Sequence, residues 1–244
     1  MFIAEINSTN DYLRQHTDVD VVRTDYQTAG RGQKGNGWES ERGKNLLFSV
    51  RVTGIKIAAN QQWLLAMTVA IAVYRAVKNL LTEKSQLTIK WPNDLYYGDK
   101  KLAGILIENT LQGPFIRDSI AGVGLNLNQT HWISNAPNPI SMKEITGEDY
   151  SAEDVMQMIL GELDILQKSL ASIKQEYMSV LYRRAGWWWW EEREVNLEPT
   201  MNGVKSQASF EARIADITEE GELILENRNK QYNKYHFKQI KYIL

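Results

Sequence analysis

The chain has 244 residues, 43% of them hydrophobic, with 28 basic and 30 acidic side chains and a formal net charge of −2. That length can bury a full core and still leave a small appended unit, while the near balance of charge gives no global pull toward nucleic acid or anionic lipid. The absence of cysteine excludes a disulfide scaffold, and His16, His131 and His236 stand too far apart for a zinc helix or finger.

The opening Met1-Phe2-Ile3-Ala4-Glu5 lacks the basic, apolar and small-residue zones of a secretory leader, so a reducing, cytoplasmic setting is expected. Ser8-Thr9-Asn10 offers cap residues before Tyr12 and Leu13, which predicts a short helix. Val19 to Tyr26 then mixes β-branched and polar residues like a half-buried strand. Gly30 to Gly43 carries five glycines among polar and basic residues, with Trp38 as its main apolar anchor, and reads as a long mobile loop. Leu46 to Val50 predicts a strand and Gln61 to Leu81 a helix. The apolar run Trp63 to Tyr74, broken by Thr68, falls short of the about 20 residues that cross a bilayer, so a buried helix is expected.

Leu87 to Trp91, Leu102 to Ile107 and Ile116 to Leu127 read as strands, with a hairpin turn at Gly98-Asp99. Ser151 followed by Asp154 resembles a helix cap, and Val155, Met158, Ile159, Leu163 and Leu166 continue at helical spacing. Beyond Arg184 the pattern changes to short strands near Val195, at Phe210 to Ile217 and at Leu223 to Leu225, with turns at Asn202-Gly203 and Glu220-Gly221. A larger domain over 1–186 and a small β domain over 187–244 are therefore expected. Trp187 to Trp190 reads as a strand packed on both faces at the junction, in preference to a binding platform.

Three segments carry chemistry. In Gln27-Thr28-Ala29-Gly30-Arg31-Gly32-Gln33-Lys34-Gly35-Asn36-Gly37-Trp38, glycines let backbone amides approach an anion while Arg31 and Lys34 supply charge; the spacing is neither that of a P-loop nor of a dinucleotide fingerprint. Lys90-Trp91-Pro92-Asn93-Asp94 closes a strand, and Lys100-Lys101-Leu102-Ala103-Gly104 follows one hairpin later, which gathers Lys90, Asp94 and Lys101. Gly122-Val123-Gly124-Leu125-Asn126 is a strand whose glycines allow close contact with a flat ligand.

Taken in order behind Ser8-Thr9-Asn10, these segments resemble the biotin–protein ligase family over most of 1–184, with Lys90 to Asp94 and Lys101 to Gly104 the most specific parts. The resemblance implies an α+β fold of the class II synthetase-like, biotin/lipoate ligase type, with a mixed-sheet catalytic domain and a small C-terminal SH3-like β-barrel. It implies ATP-dependent formation of biotinyl-5'-AMP and transfer of biotin to a lysine of a biotin carboxyl carrier domain. By the same resemblance Ser8, Thr9, Asn10, Gln27, Gly32, Gln33, Gly104 and Gly122 surround biotin. Arg31 closes over it, and Lys101 is the cation at its carboxylate. Trp38 packs on the adenine and Asn126 faces the nucleotide, while Lys90, Asn93 and Asp94 lie beside the phosphates and the acceptor lysine. Asp94 is the candidate to orient or deprotonate that amine, or to hold Mg²⁺.

The chain departs from the family's commonest spelling at Gln33, where a second arginine is usual, and at Asn36, where a basic residue is usual. It also opens just before Ser8, so no N-terminal DNA-binding domain is expected. A monomer or homodimer working without DNA or membrane is the expectation. A lipoate or octanoate ligase of the same fold and a non-catalytic biotin or nucleotide sensor are the rivals, and Lys90 to Asp94, Lys101 and Arg31 count against them.

Overall fold

The computed structural model describes residues 1–33, 37–52, 57–133, 138–163, 170–193 and 206–243. Lys34, Asn36, Leu166, Val195 and the turn at Asn202-Gly203, all named above, lie outside them.

The chain opens with β1 (Phe2–Ile6), a strand absent from the sequence expectations, then α1 (Thr9–Gln15) and β2 (Val21–Gln27). Ser8 caps α1, its hydroxyl accepting from Asp11 N. Strand β3 (Leu46–Val52) precedes the helix α2 (Trp63–Leu80), and β4 (Leu87–Lys90), β5 (Asp94–Tyr97), β6 (Lys100–Gln112) and β7 (Phe115–Leu125) follow. These strands make one sheet in the order β1-β2-β3-β7-β6-β5-β4, parallel only between β1 and β2. The β5–β6 turn falls at Gly98-Asp99, where Gly98 has φ 56°, a left-handed value that favours glycine. Helices α3 (Met142–Thr146), α4 (Ala152–Leu163) and α5 (Leu170–Ser179) complete this part.

Helix α2 packs against α4, α5 and strands β4 to β6. It is long and apolar enough to cross a membrane, in contrast to the expectation from its apolar run, but Met67 to Val73 are buried in the protein core. On the neighbouring part of the sheet α1 packs on β2, β3 and β7, closing a small cluster of Leu13, Val22 and Ile120.

The C-terminal strands β8 (Trp188–Arg193), β9 (Ser206–Ile217), β10 (Leu223–Asn227), β11 (Tyr232–Tyr235) and β12 (Ile240–Tyr242) form a second, antiparallel sheet in the order β11-β10-β9-β8-β12. The tryptophans alternate, but the expected packing on both faces is corrected: Trp190 is fully buried and Trp188 packs beside the core, whereas Trp189 on the opposite face is exposed and Trp187, which precedes the strand, stacks on the guanidinium groups of Arg213 and Arg228. One continuous core joins both sheets, running from Phe48 and Ile71 to Trp190, Ile214 and Tyr242.

Beside that shared core, side chains of the first part also grip the backbone of the C-terminal segment. Trp91 Nε1 donates to Gly221 O at 3.1 Å, Lys174 Nζ to Ile217 O at 2.6 Å, Arg183 Nη1 to Ile243 O at 2.6 Å and Arg184 Nη1 to Ile214 O at 2.7 Å. Trp63 Nε1 reaches Glu219 O. Gly221 has φ +88°, and a Cβ there would sit 2.7 Å from Trp63, so both its conformation and its contact require glycine.

Candidate active site

A pocket opens over the middle of the large sheet, where β3, β7 and β6 run side by side in register: Ser49 lies opposite Gly122, and Gly122 opposite Leu106. Glycines at 122, 124 and 104 leave the sheet surface without side chains, and two residues from outside the sheet lie down on it. Asn10 occupies the space over Gly122, where a Cβ would overlap Asn10 Oδ1. Trp38 lies across Gly124 and Gly104, where a Cβ at either position would meet the indole within 3 Å.

Asn10 is fixed on three sides. Ser49 Oγ lies 2.6 Å from its Oδ1, and its Nδ2 donates to Glu108 Oε2 at 2.8 Å and to Leu106 O at 3.4 Å. Ser49 Oγ is also 2.7 Å from Thr9 Oγ1, and Gln27 Oε1 accepts from Thr9 N at 2.8 Å and Thr9 Oγ1 at 3.1 Å. Ser8, Thr9, Asn10 and Ser49 are all buried, so this connected polar strip is preorganised at one end of the pocket.

At the other end the β5–β6 hairpin sets Lys101 against Asp94, Nζ to Oδ2 at 2.6 Å. Lys101 Nζ also stands 5.8 Å from the Trp38 ring centroid. The backbone of Lys101 is clamped by Asn138 O and Ile140 N. Asn93 is buried and donates to Ile105 O, pinning the turn before β5 onto β6. The loop contributes Arg31, Gly32 and Gln33 to the wall; Arg31 bridges to Gly37, and Trp38 N donates to Gly30 O at 3.1 Å. Arg31 Nη2 meets Asp11 Oδ1 at 2.7 Å. That bond pulls the Asp11 carboxyl below its usual range and raises the Arg31 guanidinium further.

Two expected site residues do not border the pocket. Lys90 turns toward the second sheet, its Nζ 3.0 Å from Tyr96 Oη and 4.4, 5.9 and 5.0 Å from the ring centroids of Tyr96, Tyr182 and Tyr242. Burial in this aromatic cage pushes Lys90 down to about 8, against the opposing pull of Asp94. Asn126 is buried beneath the strand of Lys101, donating from Nδ2 to Ile140 O at 3.0 Å and Lys101 O at 3.4 Å. Its Oδ1 and the Trp38 Nε1 are buried polar atoms without a hydrogen-bond partner.

The geometry adds Ser49, Glu108, Asp11 and Phe237 to the residues named from sequence. Ser49 had a signal, being the lone polar residue in the apolar run Leu46 to Val50. Phe237 had none: it reaches the pocket from the loop before β12, edge-on to Trp91 with ring centroids 6.1 Å apart.

The family model described as "Biotin/lipoate A/B protein ligase family" matches residues 2–126, which hold most of this pocket. Over 128 residues the chain is 36% identical to the bifunctional ligase/repressor BirA of Escherichia coli, covering 50% of this chain and 38% of that protein. It is 34% identical over 134 residues to the biotin–[acetyl-CoA-carboxylase] ligase of Mycobacterium tuberculosis, covering 52% of this chain and 48% of that one. The matched part thus spans less than half the length of these relatives. In fold, the biotin protein ligase from Aquifex aeolicus in complex with biotin and ATP superposes with a TM-score of 0.77 at 20% identity, over 100% of this chain and 98% of that one. The Leishmania major enzyme in complex with biotinyl-5-AMP gives 0.64 at 21% identity, over 96% and 97%. The mixed sheet, the added C-terminal sheet and the match over residues 2–126 place this chain in the biotin/lipoate A/B protein ligase family.

Proposed function

We propose that this chain is a cytoplasmic biotin–protein ligase, which activates biotin with ATP and transfers it to a lysine of a biotin carboxyl carrier domain. The observation that carries this reading is one pocket with a hydrogen-bonding strip at one end and a lysine–carboxylate pair at the other. A bicyclic urea needs donors and acceptors around its head, which Thr9, Asn10 and Gln27 supply while Ser49 holds the first two from beneath; the dithiolane of lipoate would gain nothing from them and would leave buried polar groups unpaired. The relatives named as biotin–[acetyl-CoA-carboxylase] ligases support the same acceptor class.

In the first half-reaction a biotin carboxylate oxygen attacks the α-phosphorus of ATP, forming the mixed anhydride as pyrophosphate leaves with the electron pair of the broken P–O bond. Lys101 and Arg31 lower the repulsion between the two anions and hold charge that develops between them. Trp38 offers a ring face to the purine. Trp38, Arg31 and Lys101 border the same pocket, a ring face with two cations, so the residues present fit a nucleotide; Asn126, buried beneath the Lys101 strand, does not take part. In the second half-reaction the acceptor amine attacks the biotinyl carbonyl carbon, AMP departs, and Asp94 takes the proton the amine must lose. Mg²⁺ that arrives with the triphosphate needs only one or two protein carboxylates, and Asp94, which borders the pocket, is the residue that would hold it; no step is derived through it.

Exchange of labelled pyrophosphate into ATP tests the reading. Exchange that requires biotin and is not supported by lipoate is expected. Exchange supported equally by lipoate would sink the assignment, and binding of both substrates with no exchange would make the chain a sensor.

A further inference from the structure

Arg31, the arginine that borders the pocket, is held by a residue that does not border it. Asp11 Oδ1 accepts from Arg31 Nη2 at 2.7 Å and from Arg14 Nη1 at 2.5 Å. Arg14 Nη2 lies 2.7 Å from Glu108 Oε2, the oxygen that also accepts from Asn10 Nδ2. Asn10 continues through Ser49 and Thr9 to Gln27. A single connected chain of ionic and neutral hydrogen bonds therefore runs from the loop arginine to the polar strip. Asp11 is seated in it by the first turn of α1, where its own N–H is given to the Ser8 cap at 3.4 Å.

The position of the carboxylate decides what it can do. Arg31 borders the cavity and Asp11 does not, and the carboxylate takes only Nη2, so the planar fork keeps further N–H donors for an anion in the pocket. With about half of the Arg31 side chain exposed, the ion pair contributes little to folding, and its value lies in restricting a long side chain that would otherwise lose that freedom on binding.

We propose that Asp11 is a positioning residue for adenylate retention: it presets Arg31 toward the anionic intermediate, and so offsets the missing loop charge at Gln33. The proposal rests on the biotin ligase reading for the identity of the anion, and on the Arg31–Asp11–Arg14 geometry for the rest.

The test compares wild type with Asp11→Asn and Asp11→Glu. Asp11→Asn keeps its melting temperature within about 3 °C of wild type, because the two ion pairs it weakens, to Arg31 and Arg14, are partly exposed and contribute little to folding. It releases biotinyl-5'-AMP about tenfold faster, as expected for loss of one charge-assisted hydrogen bond, while Asp11→Glu restores retention. A second readout needs no substrate: tryptic cleavage after Arg31 without biotin or ATP is faster in Asp11→Asn than in wild type. Unchanged release and unchanged cleavage overturn the proposal. Slower release with tighter biotin binding overturns it as well, since Asp11 would then be a competitor for Arg31. If wild type shows no biotin-dependent pyrophosphate exchange, the ligase reading fails, and the cleavage contrast alone decides whether Asp11 presets Arg31.

Discussion

Lys101 Nζ lies 2.6 Å from Asp94 Oδ2 across the β5–β6 hairpin, so the cation proposed for the first half-reaction is the partner of the carboxylate proposed for the second. A biotin carboxylate that draws Lys101 away leaves Asp94 free to meet an amine, which couples the order of the two steps. Lys101→Ala is expected to slow adenylate formation about 10²–10³-fold while moving the melting temperature by no more than about 3 °C, because a solvent-accessible pair contributes little stability. Single-turnover rates beside thermal melts check this; adenylation at near wild-type rate would remove Lys101 from the centre of the mechanism.

Gly122 and Asn10 share a space that admits no further atom. Gly122→Ala should displace an Asn10 side chain that Ser49 and Glu108 hold, and weaken biotin binding about tenfold or more while ATP binding is spared. Calorimetric titration with each substrate separates the two effects. Gly161 is the contrast: it lies in α4, and among the described residues nothing stands within 4 Å of a Cβ added there, so Gly161→Ala should raise stability by about 0.5–1 kcal/mol.

Gln33 borders the pocket beside Arg31. Placing a second cation there, in Gln33→Arg, should slow escape of the adenylate and reduce labelling of bystander lysines. Equal labelling by both proteins would show that charge at this position does not govern retention.

Lys90 gives a pH dependence with a definite sign. Burial holds it at about 8 in the folded protein, below its ordinary value near 10.5, while Asp94, Asp99, Lys101 and Arg183 all act on it. Below pH 8 the folded state bears the full cost of the buried ammonium. Between about 8 and 10.5 the unfolded chain binds more protons than the folded one, so this contribution to stability rises with pH. The difference in unfolding free energy between wild type and Lys90→Met should therefore shift in favour of wild type from pH 7.5 to pH 10, a window set by these two values. A constant difference, measured by denaturant titration at each pH, would mean that the tyrosine cage holds the ammonium as well as water does.

Much of the site was legible because it is written in short, local segments. Ser8 to Asn10, Gln27 to Trp38, Lys90 to Asp94, Lys101 to Gly104 and Gly122 to Asn126 each sit on one turn or one strand end, and the sheet register brings most of them to one pocket. Side-chain direction was less accessible. Lys90 ends a strand in a position that suggested the phosphates, but the tyrosines that capture it come from residues 96, 182 and 242, a grouping no local pattern reveals. Asn126 likewise turned under Lys101 because the segment carrying Ile140 offers it a carbonyl. In the fold, β1 was missed because it is short, largely exposed and paired on one side only. Helix α5 was missed because its apolar residues are sparse, though Ile173 and Tyr177 are both deeply buried. The loop from Gly30 to Gly43 reads as mobile in sequence, yet its described residues already include a Trp38 laid on the sheet glycines.

The docking of the second sheet has a consequence for how this protein can change over generations. Indole and guanidinium groups of the larger part grip the main-chain carbonyls of residues 214, 219, 221 and 243, and a carbonyl is the same whatever side chain it belongs to. Replacement of surface residues around those positions leaves these bonds in place, provided the chain path and Gly221 are kept. The C-terminal part is free to explore new surfaces while its seat against Trp63 and Trp91 stays fixed.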